Sequence, residues 1–370
     1  MTAGRLVVFG ATGYTGQLTV RHLVASGRRP VLAGRSARRL EMLADELGGV
    51  QTAVADVSRP ESVRSLVSAG DVLLTTVGPF ARWGDAAAQA AVGAGAHYVD
   101  STGEPAFIRR VFDEFGPRAA AAGTAMLTAC GFDWVPGNLA GALALSDAGP
   151  GVSRLDIGYF TRGHGGLSAG TRASMAGTLT DPSFGFRGGR LRAERMGARV
   201  VTFRLGDGRI RRGVSVGGSE PYSLPGRSPS LRDLDVVVGQ RGWWVPAVPM
   251  LTAGVAALGR LPFTAGTVRS VLGRGAVGST GGPDAAARAG SGCLIVADAF
   301  DAHRQLICRV RLEGPNPYDF TARMLSFVAT SLLDGPPSGV GALGPVDAFG
   351  LPALQAAAAQ AGLVRVEPGR

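Results

Sequence analysis

Short apolar runs alternate with amphipathic stretches through residues 1–145 of the chain. The apolar runs predict strands at 6–9, 30–34, 51–55, 71–77, 97–100 and 124–130. Apolar positions at helical spacing predict helices at 17–24, 39–47, 85–92 and 107–122, and a capping box at Ser58–Glu61 predicts another. Because mostly apolar strands need cover on both faces, the alternation indicates a Rossmann-type, doubly wound parallel sheet.

The pattern changes after residue 145. Short strand-like pieces occupy 152–216, and residues 207–291 are read as loops around a turn and helix at 243–258. Segments 293–299 and 305–312 predict a hairpin, and 318–333 and 352–361 predict helices. We therefore expect a Rossmann-type domain at 1–145 and an α+β domain with an antiparallel sheet at 146–345. A C-terminal helix within 346–370 is expected to pack back on the first domain.

Three glycines spaced three apart follow the first strand. In a dinucleotide fingerprint such glycines make the tight turn, let backbone approach the pyrophosphate, and let helix pack on strand. The first gap is one residue wider than in the standard fingerprint, so these roles are assigned by analogy. The helix N-terminus that follows favours negative charge. The predicted phosphate loop is Gly10, Ala11, Thr12, Gly13, Tyr14, Thr15 and Gly16.

The end of the second strand carries cations. A site for NAD usually has Asp or Glu here, to accept from the ribose 2′-hydroxyl. Arg35 and Ser36 stand here instead, with Arg38 and Arg39 behind them. Two charged hydrogen bonds to a 2′-phosphate would favour NADP over NAD by roughly a hundredfold. The predicted cofactor is NADP, held by Arg35, Ser36 and Arg39; Arg38 and Arg39 are each equally well interpreted as solvated surface.

Other candidate site residues stand at the remaining strand ends, where ligands bind such sheets. Asp56 and Val57 are assigned to the adenine side, although Asp56 could simply charge the start of the next helix. A wall beside the nicotinamide is assigned to Thr76, Val77, Gly78, Pro79 and Phe80, and the alternative is that Gly78–Phe80 form an ordinary turn. Substrate-side candidates are Asp100, Glu104, Asp133 and Trp134. Glu104 is alternatively a cap for a helix beginning near Pro105.

The chain contains no Lys, so all 38 basic residues are Arg. A Schiff-base lysine and the Ser–Tyr–Lys constellation of short-chain reductases are therefore excluded. Hydride transfer is the cofactor's own chemistry, and any proton donor must be Tyr, His, a carboxyl group or water. Candidates by residue type alone are Tyr159, Tyr222, Tyr318 and His164.

The net charge of +10 does not indicate nucleic-acid binding, because the arginines are scattered without a run that could follow a phosphate backbone. The three cysteines show no metal-binding spacing. We expect a cytoplasmic protein, since the first residues enter a strand directly and prolines interrupt the most apolar stretch. That stretch, 243–258, is read as a packed helix or, alternatively, as a peripheral lipid contact.

Five motifs in order carry a family resemblance. They are Gly10–Gly16, Leu32–Ser36, Val77–Phe80, His97–Glu104 and Cys130–Asp133. Together they resemble the saccharopine dehydrogenase-like oxidoreductases, closest to the trans-acting enoyl reductases that serve lipid-making polyketide synthases. The resemblance is dense over 5–142 and thin over 168–174 and 318–322. The family usually reads Gly-Phe-Asp-Ser-Ile-Pro-Ser-Asp, whereas this chain has Trp134 for the first Ser and Asn138 for the last Asp.

The resemblance implies NADP(H) binding and says little about the substrate. The leading hypothesis is an NADPH-dependent oxidoreductase that reduces a C=C or C=O bond of an acyl or polyketide-type substrate, small or carrier-bound. A polyketide synthase partner and a homodimer are part of this hypothesis. The alternatives are an amino-acid dehydrogenase acting on a secondary amine, and a non-catalytic protein that binds NADP or associates with lipid.

Overall fold

The computed structural model describes residues 4–366, except 164–165, 167, 179–181, 206–207, 259–280 and 336. His164 therefore lies outside the described residues. The chain divides into two compact units. The first contains Met1–Val135, Ser279–Gly282 and Pro317–Ala361, and the second contains Pro136–Gly278, Pro283–Asn316 and Gly362–Arg370. The boundaries expected at 145 and 345 remain predictions.

A parallel sheet forms the centre of the first unit. Its strands are β1 (Leu6–Phe9), β2 (Val31–Gly34), β3 (Thr52–Val54), β4 (Val72–Thr75), β5 (His97–Asp100), β6 (Ala125–Leu127) and β15 (Gly341–Ala342). They lie in the order β15-β6-β5-β4-β1-β2-β3, which confirms the predicted Rossmann-type sheet. Strand β15 was not predicted, because two residues in a Gly-rich stretch carry no periodic pattern.

Helices flank this sheet and pack on its buried apolar residues, such as Val7, Phe9 and Leu73. The helices are α1 (Tyr14–Ala25), α2 (Ala37–Glu46), α3 (Pro60–Arg64), α4 (Phe80–Ala94), α5 (Pro105–Arg110), α6 (Gly116–Ala121), α12 (Pro317–Asp334), α13 (Pro345–Phe349) and α14 (Leu351–Gln360). Helix α7 (Val135–Ala148) belongs to the second unit from Pro136 onward. A π-helical turn, Val111–Phe115, joins α5 to α6.

The capping box predicted at Ser58 is wrong. Helix α3 begins at Pro60, with Arg59 in the N-cap position and no side-chain cap. The backbone N–H and hydroxyl of Ser58 both donate to a carboxylate oxygen of Asp56, at 2.9 and 2.8 Å. Since Asp56 captures Ser58 in a local turn, Ser58 cannot cap the helix that follows.

A mixed sheet forms the second unit. Its strands are β7 (Arg154–Arg162), β8 (Ser183–Arg187), β9 (Arg190–Glu194), β10 (Val200–Arg204), β11 (Ile210–Ser215), β12 (Asp233–Gln240), β13 (Gly292–Phe300), β14 (Leu306–Gly314) and β16 (Val364–Arg365). The main order is β10-β11-β12-β7-β13-β14-β16, while β8 pairs with β12 and β9. The β13–β14 hairpin is antiparallel as predicted, whereas β12 and β7 run parallel.

The interpretation of residues 207–291 as loops is wrong where β12 stands, whereas β11 overlaps the strand-like pieces predicted within 152–216. Strand β12 lies between β11 and β7 and carries a buried carboxylate, Asp235. Arg154, Arg187 and Arg199 all pair with Asp235. The local pattern did not predict β12, because charged residues flank its run of three valines. Asp235 can be buried there because arginines from distant parts of the chain pair with it.

Short helices complete the second unit. They are α8 (Ala169–Thr178), α9 (Glu220–Ser223), α10 (Val248–Leu258) and α11 (Ala285–Ala289). A 3-10 turn at Val245–Ala247 precedes α10, which confirms the turn and helix predicted at 243–258. Within the described ranges, no helix is both long and apolar enough to cross a membrane.

Candidate cofactor-binding site

Glycines allow the turn between β1 and α1 to pass very close to neighbouring backbone. Gly10 has φ +93°, and a Cβ there would lie 2.7 Å from Thr76 Oγ1. The Gly13 N–H donates to the Gly10 carbonyl at 2.9 Å and closes the turn. A Cβ on Gly16 would lie only 2.1 Å from the Gly10 oxygen. The turn at Gly10 and the close packing at Gly16 are therefore geometric requirements of this fold.

The N-terminus of α1 is open to an anion. Gly13 is its N-cap residue, without a side-chain cap, and the first turn contains no acidic residue. The first N–H groups of a helix have no intrahelical acceptor, and the dipole adds positive potential there. Nearby, the Tyr14 ring packs edge-on against Tyr318 at 5.0 Å between ring centroids. The residues present fit a bound pyrophosphate.

Cationic side chains lie beside this loop. Ser36 is the N-cap of α2, and its hydroxyl accepts from the Arg39 N–H at 3.4 Å. The Arg39 guanidinium donates to the Thr12 carbonyl at 3.2 Å. Arg35 is exposed at the end of β2. The structure thus brings one of the predicted 2′-phosphate ligands, Arg39, against the predicted phosphate loop.

Asp56 lies at the neighbouring strand end. Hydrogen bonds from the N–H and hydroxyl of Ser58, then the charges of Arg59 and Arg35, lower the pKa of the Asp56 carboxyl. Val57, which follows it, packs partly buried against the core of the first unit. The Asp56 carboxylate is occupied in a local turn, and its contact with adenine remains a prediction.

The segment after β4 passes directly beside the phosphate loop. Thr76 Oγ1 donates to the Gly10 carbonyl at 3.2 Å. Val77 packs partly buried on the core, and the Gly78–Pro79 peptide is cis. Phe80 then begins α4, five residues earlier than the pattern predicted. This places the predicted nicotinamide wall against the turn that would hold the pyrophosphate.

Glu104 explains the early start of α4. Its two carboxylate oxygens accept from the backbone N–H groups of Phe80 and Ala81, each at 2.8 Å. Glu104 stands in the N-cap position of α5, but its side chain does not cap that helix. Glu104 therefore stands at the predicted N-cap position of α5, but its side chain caps α4 instead. Contact of Glu104 with substrate stays a prediction.

Asp100 is a buried anchor for the next loop. It accepts from the N–H groups of Thr102 and Ala129 at 2.9 and 2.8 Å, and from the Thr128 hydroxyl at 2.8 Å. Burial, opposed by these hydrogen bonds, raises its pKa to about 6. Ala129 has φ +59°, so this anchor also holds a strained backbone position. Asp100 organises the strand ends, and its predicted substrate contact is untested.

The environment of Asp133 differs from those of Asp100 and Glu104. It is partly exposed, and burial raises its pKa to about 6. Gly103 lies against it, since a Cβ there would come within 2.8 Å of Asp133 Oδ2. Trp134, joined to it by a cis peptide, is buried, and its backbone N–H donates to the Ala129 carbonyl at 2.8 Å. The large ring that departs from the family pattern therefore packs inside the protein.

The three candidate tyrosines have different surroundings in the structure. The Tyr159 hydroxyl is buried, donating to Glu220 at 2.7 Å and accepting from the Gly137 N–H at 2.7 Å. The Tyr222 ring packs edge-on against Phe184 in the second unit. Tyr318 is the one that the structure places near the phosphate loop, through Tyr14.

Sequence reasoning assigned no site role to two supporting residues, Thr321 and Gly103, although both lie in stretches that carry the resemblance. Thr321 Oγ1, on α12, accepts from the Phe132 N–H at 2.9 Å, and a Cβ on Gly131 would collide with Thr321 at 2.9 Å. Gly103 provides clearance for Asp133. Thr321 lies 189 residues from Phe132, so no local signal connected them.

Residues 6–127 match the family model described as the saccharopine dehydrogenase NADP binding domain. This part of the chain is similar to the NADP-binding domain of saccharopine dehydrogenase. The resemblance read from the five motifs is confirmed, and so is NADP as the predicted cofactor.

Named relatives extend the likeness. A provisionally named trans-acting enoyl reductase of Mycobacterium tuberculosis is 39% identical over 188 residues, 48% of this chain and 45% of the relative. A trans-acting enoyl reductase of Mycobacterium ulcerans is 40% identical over 140 residues, 36% of this chain and 34% of the relative. The matched stretches thus cover less than half of either relative.

A solved structure is similar in fold. Apo saccharopine dehydrogenase (L-Glu forming) of Saccharomyces cerevisiae aligns with a TM-score of 0.61 over 98% of this chain and 100% of that chain. Its sequence identity is 12%, so this likeness shows the fold alone. The fold confirms the predicted combination of a Rossmann-type sheet with a second, sheet-containing domain.

Proposed function

We propose that this protein is an NADPH-dependent reductase of a C=C bond conjugated to a carbonyl group, in an acyl or polyketide-type substrate. One observation carries the proposal: the uncapped N-terminus of α1 lies beside Arg39, whose guanidinium contacts Thr12. That arrangement suits a dinucleotide with an extra phosphate. The two relatives named as enoyl reductases support the reaction type.

Each element of the site has a distinct task in this proposal. When bound, NADPH supplies the hydride, and the protein orients the reactants and excludes competing chemistry. The phosphate loop holds the pyrophosphate, while Arg35, Ser36 and Arg39 hold the 2′-phosphate. Residues 76–80 border the nicotinamide, and the β5 and β6 ends border the substrate.

A substrate panel tests the reaction class. Purified full-length protein is mixed with NADPH and a trans-2-enoyl thioester, a ketone or a cyclic imine, and NADPH absorbance is followed. Oxidation with the enoyl thioester supports the proposal, and oxidation only with the ketone moves it to carbonyl reduction. Oxidation only with the imine favours the amine dehydrogenase. NADPH binding without any turnover favours the non-catalytic reading.

The proposed partner is a polyketide synthase that presents its acyl chain on a carrier protein. If recognition includes the carrier, an enoyl group on a carrier protein should have a KM at least about tenfold lower than the same group on a small thiol, about 1.4 kcal/mol of added binding. Equal KM values would restrict the substrate to small thioesters.

Arg35→Asp should weaken NADPH binding by roughly a hundredfold or more and change NADH binding little, because it removes a charged contact to the 2′-phosphate and adds repulsion. Fluorescence titration with each cofactor measures this. Arg190→Asp, an equal charge change at an exposed position on β9, is the control. Equal losses for both cofactors would contradict the assignment of Arg35.

We also infer a peripheral contact with anionic lipid through residues 241–251. Trp243, Met250 and Leu251 are 91%, 80% and 60% exposed, and the neighbouring Arg241 is exposed too. Exposed Trp and aliphatic side chains next to a cation are typical of surfaces that enter the lipid headgroup region.

Liposome sedimentation tests this contact. The double variant Trp243→Ser, Leu251→Ser should reduce binding to vesicles containing phosphatidylglycerol by about tenfold or more, since it removes two exposed apolar side chains. Met42→Ser, at another exposed apolar residue, is the control. Absence of vesicle binding together with a variant-sensitive dimer in light scattering would assign the surface to a second copy of the chain instead.

A further inference from the structure

Three carboxyl groups gather at the carboxyl ends of β5 and β6: Asp100, Glu104 and Asp133. Two of them are committed to the fold. Asp100 is fully buried and accepts three hydrogen bonds. Glu104 is 2% exposed and accepts two backbone N–H groups of α4. Neither carboxylate can exchange a proton with a substrate without dismantling the loops that it holds.

Asp133 is the carboxyl group left for chemistry. It is partly exposed, and within the described part of the chain no hydrogen bond or ion pair engages its side chain. Its backbone is nevertheless held on both sides. The Phe132 N–H donates to Thr321 at 2.9 Å, and the Trp134 N–H donates to Ala129 at 2.8 Å. The carboxyl group is fixed in position and chemically unengaged.

The sheet order puts Asp133 on the side of the sheet where the nicotinamide of a bound dinucleotide would lie. The candidate 2′-phosphate ligands follow β2, on one side of β1, and the phosphate loop follows β1 itself. Strands β4, β5 and β6 lie on the other side of β1. A dinucleotide with its adenosine at β2 and its pyrophosphate at β1 extends its nicotinamide toward these strands. Asp133 follows β6, and Gly103, which follows β5, gives it clearance.

We propose that the Asp133 carboxyl group is the proton donor of the reduction, an assignment that rests on the proposed function. Hydride from NADPH adds to the β-carbon of the enoyl group, and the C=C π electrons move toward the carbonyl as an enolate. The Asp133 O–H bond breaks and its proton forms the new bond at the α-carbon. The products are the saturated acyl group, NADP+ and the Asp133 carboxylate, which regains its proton from water.

Its chemical environment suits this role. Burial raises the pKa of Asp133 to about 6, so a useful fraction is protonated near neutral pH. Among the tyrosines considered above, Tyr159 is engaged with Glu220 and Gly137. The chain has no lysine that could compete.

The first test compares Asp133→Asn with the wild type on the enoyl thioester. We expect kcat to fall by about a hundredfold or more, while the Kd of NADPH stays within about threefold. The wild-type kcat should decline as pH rises above about 6, and the variant should lose this decline. Asp133→Glu should restore part of the rate. Asp45→Asn, at an exposed position on α2, is the charge-matched control.

The second test needs no substrate. Oxidised nicotinamide carries a positive charge that reduced nicotinamide lacks, so an ionised Asp133 beside it favours NADP+. For the wild type, the ratio of the NADP+ Kd to the NADPH Kd should fall several-fold between pH 5 and 7.5. Asp133→Asn should abolish that change, and Asp45→Asn should retain it.

The outcomes separate the two proposals. A wild type that binds no NADPH refutes the proposed function and this inference together. Wild-type turnover with an Asp133→Asn variant that keeps its rate and pH profile refutes the inference alone. If NADPH binds but no substrate in the panel is reduced, the Kd ratio decides: loss of its pH dependence in the variant supports Asp133, and persistence overturns it.

Thermal unfolding shows that the variant folds and tests the titration separately. The folded-state pKa of about 6 lies above the ordinary value of 3.8. The folded wild-type protein therefore loses stability as pH rises through this range and Asp133 ionises. Asp133→Asn should match the wild type at pH 4 and melt a few degrees higher at pH 8. A lower Tm of the variant at pH 8 would indicate a structural carboxylate and overturn the assignment.

Discussion

Gly16→Ala should abolish detectable NADPH binding and destabilise the first unit. The new Cβ would lie 2.1 Å from the Gly10 carbonyl oxygen and 3.0 Å from Ala11 Cα, both of them backbone atoms that cannot rotate away. Helix α1 must then move away from β1, and its N-terminal N–H groups leave the position from which they would hold the pyrophosphate. Overpacking of this kind costs about 3 kcal/mol.

Fluorescence titration and thermal unfolding measure the two effects. We expect the Kd of NADPH to rise by more than about a hundredfold, or about 2.8 kcal/mol of binding energy. Gly93→Ala is the matched control, since Gly93 is an exposed residue inside α4 with open space around it. That substitution should leave binding unchanged and stabilise slightly, by up to about 1 kcal/mol. Intact NADPH binding in Gly16→Ala would disprove the phosphate loop.

Glu104→Ala should be the most destabilising single change among the candidate site residues. It leaves the N–H groups of Phe80 and Ala81 without their acceptors, in a region where Phe80 is buried. Leaving buried donors unsatisfied costs about 1–3 kcal/mol each, so the total is about 4 kcal/mol. At about 2–4 °C per kcal/mol, the Tm should fall by roughly 10 °C.

The conservative variant and a surface control refine this expectation. Glu104→Gln retains one acceptor oxygen and should lose roughly half as much, about 2 kcal/mol. Glu61→Ala removes an exposed carboxylate that pairs with Arg64 at the surface, and should cost under about 0.5 kcal/mol. If Glu104→Ala kept its Tm but lost substrate affinity, the carboxylate would serve the substrate and not α4.

The sequence by itself determined the Rossmann-type sheet and the glycine-rich turn between β1 and α1. Both depend on signals within a few residues: apolar runs of strand length, helical spacing, and glycines at one strand–helix junction. The same holds for the β13–β14 hairpin and for α12 and α14, whose patterns lie within single segments. Backbone preference and burial act over these short windows, so the pattern alone was sufficient.

The tertiary structure decided which polar groups are engaged. Glu104 reaches back 24 and 23 residues to Phe80 and Ala81, and Phe132 donates across 189 residues to Thr321. The buried Asp235 carboxylate on β12 pairs with Arg154 and Arg187, which come from other parts of the chain. The residues next to a carboxylate in the sequence do not indicate which groups it will hydrogen-bond. Only folding showed that Asp100 and Glu104 hold the backbone while Asp133 stays chemically available, because hydrogen-bond partners are chosen by distance in space.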